Sequence, residues 1–122
     1  MTRIVGIHQL ELRAGVDPVE FGRVCADVVA APTYPGWRTR ILKGERGARV
    51  DQYVVLFEID SVEDRDRIFP SPEQHSEEAQ RFDEENPAGV APWERFFSLV
   101  DREPDLVTDY SSSRNDPHPS AP

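Results

Sequence analysis

The sequence predicts an α+β domain whose elements run strand, helix, strand, strand, helical region, strand. Three observations predict it. Apolar residues alternate with period two over residues 4–13, recur at spacings of three and four from residue 18, and return as strand-like runs at 37–43 and 53–60. Pro and Gly fall between these blocks, where breaks are needed. The length, 122 residues with 38% hydrophobic and 30% charged, suits one core rather than two.

Each element has its own signal. Residues 4–13 (Ile4-Val5-Gly6-Ile7-His8-Gln9-Leu10-Glu11-Leu12-Arg13) open apolar and close in strict alternation, as a strand with one buried face does. Gly15 breaks it, Asp17 is placed to cap a helix, and Pro18 takes the first helical position, where its missing N–H costs nothing. Phe21, Val24, Cys25, Val28 and Val29 make one apolar stripe, and the helix stops near Ala31, before Pro32 and Pro35. Pro35-Gly36 is a turn into a strand over 37–43, and the polar, Gly-punctuated stretch 44–51 connects it to the next. Residues 53–60 are the most apolar stretch of the chain and read as a central strand buried on both faces.

Ser61 followed by Asp64 approximates a capping box and starts a second helix, which Phe69-Pro70-Ser71-Pro72 interrupts. A further helix is expected from Ser71, with Pro72 at its first position, to about Asn86, where Pro87 and Gly89 stop it. A short aromatic helix over 92–100 and a last strand over 106–110 complete a domain spanning residues 1–110. Residues 111–122, rich in Ser and Pro, have almost nothing to bury and are expected to be a disordered tail.

A βαββαβ succession of this length is the ferredoxin-like arrangement, a four-stranded antiparallel sheet with its helices on one face. The first and third strands carry apolar residues in both parities: Ile4, Leu10 and Leu12 against Val5 and Ile7, and Val54 and Leu56 against Val55, Phe57 and Ile59. The face without helices therefore needs a cover, and a second copy related by a two-fold axis is the commonest one. A homodimer through the open sheet face is expected, the two sheets meeting in a barrel-like arrangement.

Charge and composition remove several function classes. With 14 Lys+Arg against 23 Asp+Glu the net charge is −9, and no basic cluster is present to track a phosphate backbone, so nucleic acid is not expected as a partner. No apolar run approaches the roughly 20 residues of a membrane span, and residues 1–9 turn polar too early for a signal peptide, so a cytoplasmic protein is expected. The single cysteine, Cys25, has no partner for a disulfide or a Cys-x-x-Cys motif and reads as a structural, buried thiol. Glycine-rich nucleotide loops and the Gly-x-Ser-x-Gly motif are missing, so any catalysis is expected to proceed without a cofactor.

Four groups of residues could carry chemistry. His8 shares a strand face with Leu10 and Leu12, where a neutral imidazole serves either as a general base or as a hydrogen-bonded structural group. Arg38 and Arg40 share one strand parity; on the interior side they would orient a carboxylate, phenolate or enolate, and on an exposed side they would pair with neighbouring acids. Tyr53 and Trp93 could hold an aromatic ring or pack in the core or a dimer interface. His75 and Glu78 have a metal-ligand spacing on one helical face, but a metal needs three or four ligands and His118 is a poor third, so a solvated face with no metal is expected.

Four segments make the chain resemble a known family. Pro35-Gly36-Trp37-Arg38-Thr39-Arg40 enters the second strand, Asp51-Gln52-Tyr53 opens the third and Glu58-Ile59-Asp60-Ser61 closes it, and Ala91-Pro92-Trp93-Glu94 precedes the last. Over about residues 4–111 the pattern is similar to the dimeric α/β-barrel proteins of ferredoxin-like fold, which include antibiotic-biosynthesis-type monooxygenases, aromatic polyketide cyclases, and EthD-like and haem-degrading members. The resemblance implies a pocket between sheet and helices for a small, partly aromatic or polyketide-like molecule, with cofactor-independent oxygenase or cyclase chemistry. On that reading His8 moves a proton, Arg38 and Arg40 stabilise the anion that develops, and Tyr53, Phe57 and Trp93 hold the ring. The rival is a non-catalytic ligand-binding or dimerisation module, and pocket filling separates the two. A space packed solid by Phe57, Trp93, Phe96 and Phe97 favours the module, whereas a cavity of several hundred Å³ lined by His8 and an arginine favours the enzyme.

Overall fold

The computed structural model describes residues 2–72 and 74–113. Four strands, β1 (Thr2–Leu12), β2 (Trp37–Lys43), β3 (Tyr53–Ile59) and β4 (Val100–Ser113), form one antiparallel sheet in the order β2-β3-β1-β4. Four helices, α1 (Pro18–Ala30), α2 (Val62–Ile68), α3 (Glu77–Glu85) and α4 (Pro87–Ser98), connect them. This is the α+β, ferredoxin-like fold expected from the element order.

Local chemistry sets the boundaries. The Asp17 side chain accepts from Val19 N at 3.0 Å with Pro18 beside it, which starts α1 where the sequence places it. Gly36 turns the chain into β2 with φ 83°, and a Cβ there would meet Asp64 Oδ2 at 2.6 Å, so both the backbone and the space require glycine. Ser61 accepts from Asp64 N at 3.1 Å and caps α2.

Four boundaries differ from expectation. The third helix starts five residues later than Ser71: Ser76 is its cap, accepting from Ala79 N at 3.1 Å while donating to Arg67 O. Pro70 and Pro72 bias the residues before them away from helix, so 69–72 and 74–75 stay irregular, with an isolated Ser71–Gln74 bridge. Pro87 starts α4 rather than ending α3, because a first-turn proline loses no bond, and Pro92 lies inside the helix. β4 is far longer than 106–110, running Val100–Ser113, because it pairs with the whole of β1, from Leu12↔Val100 to Thr2↔Ser113. Ser111–Ser113 therefore belong to the sheet and not to a tail, while residues 114–122 lie outside the described residues.

The core is in two parts, both on the helix side of the sheet. Under α1 and α4, Leu10, Phe21, Val24, Val28, Val55, Phe96 and Val100 are buried together. Under α2 and α3, Ile4, Trp37, Ile59, Ile68 and Ala79 form a second cluster. Strand register explains the division. Ile4 opposes Ile59 and Trp37 opposes Ile59, giving one row of large apolar side chains across the sheet, while Leu10 and Val55 anchor the other part. Between them runs the row Asp109–Gly6–Phe57–Thr39, in which only Phe57 is large and apolar. Phe57 packs against both clusters.

Alternation sends Val5, Ile7, Gln9, Val54, Leu56 and Leu42 to the opposite face, which carries no helix. There Leu42 is 40% and Tyr110 54% exposed. Among the described residues no helix is long and apolar enough to cross a membrane.

Candidate functional site

The weak middle row of the sheet is the floor of a cavity. Its volume is about 870 Å³, and His8, Thr39 and Phe57 rise into it from β1, β2 and β3. Gly6 has no side chain, and that absence leaves room for a carboxylate: a Cβ at Gly6 would stand 2.9 Å from Asp109 Oδ1 and 3.8 Å from His8 Nε2. Here β4 also departs from regular pairing, since His8 opposes Val107 while Leu10 opposes Arg102. Irregularities of this kind recur beside functional sites because they re-aim side chains.

The walls are aromatic and touch one another in series. His75 lies on Phe69 with centroids 4.5 Å apart, Phe69 contacts Trp37 at 5.8 Å, and Trp37 meets Phe57 edge-on at 5.7 Å. From Phe57 the series continues to Trp93 at 5.7 Å and on to Phe97, stacked at 5.5 Å. His8 meets the Phe57 edge at 5.1 Å. Beyond Trp37, Tyr34 and Phe82 close one end with centroids 4.9 Å apart. These contacts lock the rings in place, so the cavity is held open by its own lining.

Polar side chains pair with one another at two places in the lining. Arg65, from α2, bonds Asp66 Oδ1 through Nε at 3.0 Å and reaches Asp109 Oδ2 through Nη1 at 3.7 Å. At the other place Tyr34 Oη donates to Asp83 Oδ1 at 3.1 Å. Burial of the phenol, reinforced by the Asp83 charge and this bond, pushes Tyr34 well above the ordinary tyrosine value. Tyr34 is therefore a neutral hydrogen-bond donor throughout the physiological range.

Of the residues singled out in the sequence, the cavity brings together His8, Phe57, His75 and Trp93. Tyr53 is elsewhere, packed edge-on against Phe21 at 4.7 Å beneath α1. Arg38 and Arg40 have the parity opposite to Trp37 and Thr39, and so emerge on the helix-free face. There Arg38 bonds Asp60 at 3.0 Å and Arg40 lies 3.9 Å from Glu58, the exposed pairing rather than the interior one. Arg65 is the guanidinium that the cavity does contain. His75 and Glu78 do not share a helical face, because His75 precedes the Ser76 cap; among the described residues no cluster of three or more His, Cys, Asp or Glu could hold a metal. Cys25 is half-buried rather than enclosed, and desolvation pushes its thiol up to about 11.

Comparison with known proteins gives likeness in fold. No family model matches the chain, and no curated protein matches it. Among solved structures it is similar to a dimeric protein of unknown function and ferredoxin-like fold from Bacteroides fragilis, with 15% identity, a TM-score of 0.54, and coverage of 90% of this chain and 96% of that one. It is also similar, with 14% identity and a TM-score of 0.47 over 97% of this chain and 98% of that one, to SnoaB, a cofactor-independent oxygenase from Streptomyces nogalater.

Proposed function

We propose that the cavity binds a small, partly aromatic or polyketide-like molecule and that the chain acts on it as a cofactor-independent monooxygenase or cyclase. The observation that carries this reading is an open space of about 870 Å³, aromatic on its walls, with His8 and Arg65 on its lining. In this mechanism His8 takes a proton from an acidic carbon or phenol of the bound molecule. Arg65 stands in the same cavity to stabilise the resulting anion, the role that the sequence pattern assigns to Arg38 and Arg40, which emerge on the other face. The electron pair then either attacks a carbonyl of the same molecule, closing a ring, or reduces dioxygen. In the second case a CH₂ group becomes C=O and the other oxygen atom leaves as water.

The test is turnover of aromatic ketone and phenol substrates by the purified protein, with oxygen uptake and product mass followed together. His8→Ala is expected to abolish turnover and leave the circular dichroism spectrum unchanged. Unaltered turnover in that variant removes the proposed role, and binding without turnover by the unmodified chain reduces the protein to a ligand-binding module.

We further propose that a second copy of the chain covers the helix-free face. Support comes from the apolar side chains that the face presents without a helix to cover them, Val5, Ile7, Val54 and Leu56, with Leu42 40% and Tyr110 54% exposed beside them. The rim offers both signs of charge, Arg38 and Arg40 beside Asp60 and Glu58, as a self-complementary two-fold contact needs. The structurally similar Bacteroides fragilis protein is described as dimeric. Native mass spectrometry is expected to show a dimer that Leu56→Glu converts to a folded monomer, and a monomeric parent chain would refute the proposal.

A further inference from the structure

The charges around the cavity restrict what can enter it. Four carboxylates line it, those of Asp66, Asp83, Glu94 and Asp109, against the single guanidinium of Arg65 among the described residues. That guanidinium is already engaged by two of the four, Asp66 at 3.0 Å and Asp109 at 3.7 Å. Asp83, which accepts from Tyr34 Oη, and the exposed Glu94 at the cavity lining have no cation beside them among the described salt bridges. Arg38 and Arg40, which would have offset them, are on the other face.

Two independent features then favour the same ligand charge. Aromatic faces attract an organic cation through the ring quadrupole, most strongly for Trp, and Trp37 and Trp93 both line the cavity. Excess carboxylate in a partly enclosed apolar space attracts a cation and repels an anion, and the apolar walls strengthen both effects by lowering the local dielectric. We infer that the cavity selects an aromatic molecule bearing a protonated amine over one bearing a carboxylate. This rests on the proposed function only in taking the cavity as the ligand site. The ring system lies along Trp37, Phe57 and Trp93, and the ammonium group is received by Asp83 or Glu94.

A matched set of probes with one bicyclic ring tests this: 2-naphthylmethylammonium, 2-naphthylmethanol and 2-naphthoate, titrated calorimetrically into the full chain. The ammonium probe is expected to bind at least about tenfold more tightly than the carboxylate, with the ratio shrinking as salt is raised. Glu94→Gln should narrow the ratio by weakening the ammonium probe more than the neutral alcohol, and circular dichroism verifies that the variant folds. If Glu94→Gln leaves the ratio intact, Asp83→Asn is the second variant, and a ratio unmoved by both overturns the inference. Equal or tighter binding of the carboxylate overturns it too, while alcohol binding then leaves the cavity as a ligand site. Failure of all three probes overturns the cavity reading and this inference with it.

Discussion

Replacing Gly6 by valine should close the site without unfolding the protein. The new Cβ would stand 2.9 Å from Asp109 Oδ1, too close to remain, and 3.8 Å from the Phe57 Cβ, an ordinary contact. The atom that must yield is the end of a flexible side chain that is 45% exposed. Moving it loses the long Arg65–Asp109 contact, and an exposed ion pair contributes at most about 1 kcal/mol. Against that, removing glycine from a strand interior recovers about 0.5–1 kcal/mol relative to alanine, and a β-branched residue suits the strand. The opposing effects are of the same size, so urea unfolding should place the variant within about 1 kcal/mol of the parent. The branched methyls, however, rise from the cavity floor between His8 and Phe57 and displace whatever lies there. Affinity for a naphthyl probe should fall by more than about tenfold, or about 1.4 kcal/mol. A variant that keeps its stability and also its affinity would show that the ligand does not rest on the Gly6–Phe57 row.

Phe21→Ala, at a fully buried position in the cluster under α1, should destabilise the chain by about 3–5 kcal/mol in urea titration. Arg38→Ala and Arg40→Ala, on the opposite face from the cavity, should leave probe affinity unchanged while weakening the dimer seen by native mass spectrometry. In an ultraviolet titration Tyr34 should ionise well above the ordinary tyrosine value, and Asp83→Asn should bring it only part of the way down, because burial is the larger cause. Cys25 should label slowly near neutral pH, with a rate that climbs with pH toward about 11; since the folded thiol lies above its ordinary 9.0, the stabilisation it gives is complete below pH 9.0 and is lost as pH rises to about 11.

The fold was legible because its signals are local. Asp17 with Pro18, Ser61 with Asp64, and the Pro35-Gly36 turn each act within a few residues, and each falls where the structure uses it. The boundaries that moved depend on distant partners. Nothing in residues 100–105 announces a strand, and β4 reaches Val100 only because Leu12 lies opposite to receive it. Ser71-Pro72 has the composition of a helix start, yet Ser76 outcompetes it by bonding Ala79 N, Arg67 O and, through its own N–H, Ile68 O.

The site was half legible, and one of its errors was avoidable. Trp37 and Ile41 in β2 share the parity opposite to Arg38 and Arg40, so the apolar residues of that strand already indicated that the arginines leave the core side. Arg65 carried a signal as well: it stands three residues before the buried Ile68 and three after Val62, on the inward side of α2. Asp109 carried none, because its place over Gly6 depends on how β4 registers against β1 across a long intervening sequence.

The two buried clusters flank the row that floors the cavity, with Trp37 and Ile59 serving both core and wall, and that arrangement bears on how the fold persists across dissimilar sequences. The buried residues fall into two clusters, one at Ile4, Ile59 and Trp37 and the other at Leu10, Val55 and Phe21, each with its own pair of helices. The row between them, Asp109, Gly6, Phe57 and Thr39, contributes one large apolar side chain and otherwise shapes a space. Substitutions in that row alter the cavity floor while the flanking clusters keep the sheet and helices together. A fold shared at 15% identity with the Bacteroides fragilis protein shows that very different sequences reach this architecture. Ligand choice should therefore respond to changes at positions 6, 39 and 109 that leave the unfolding free energy nearly constant.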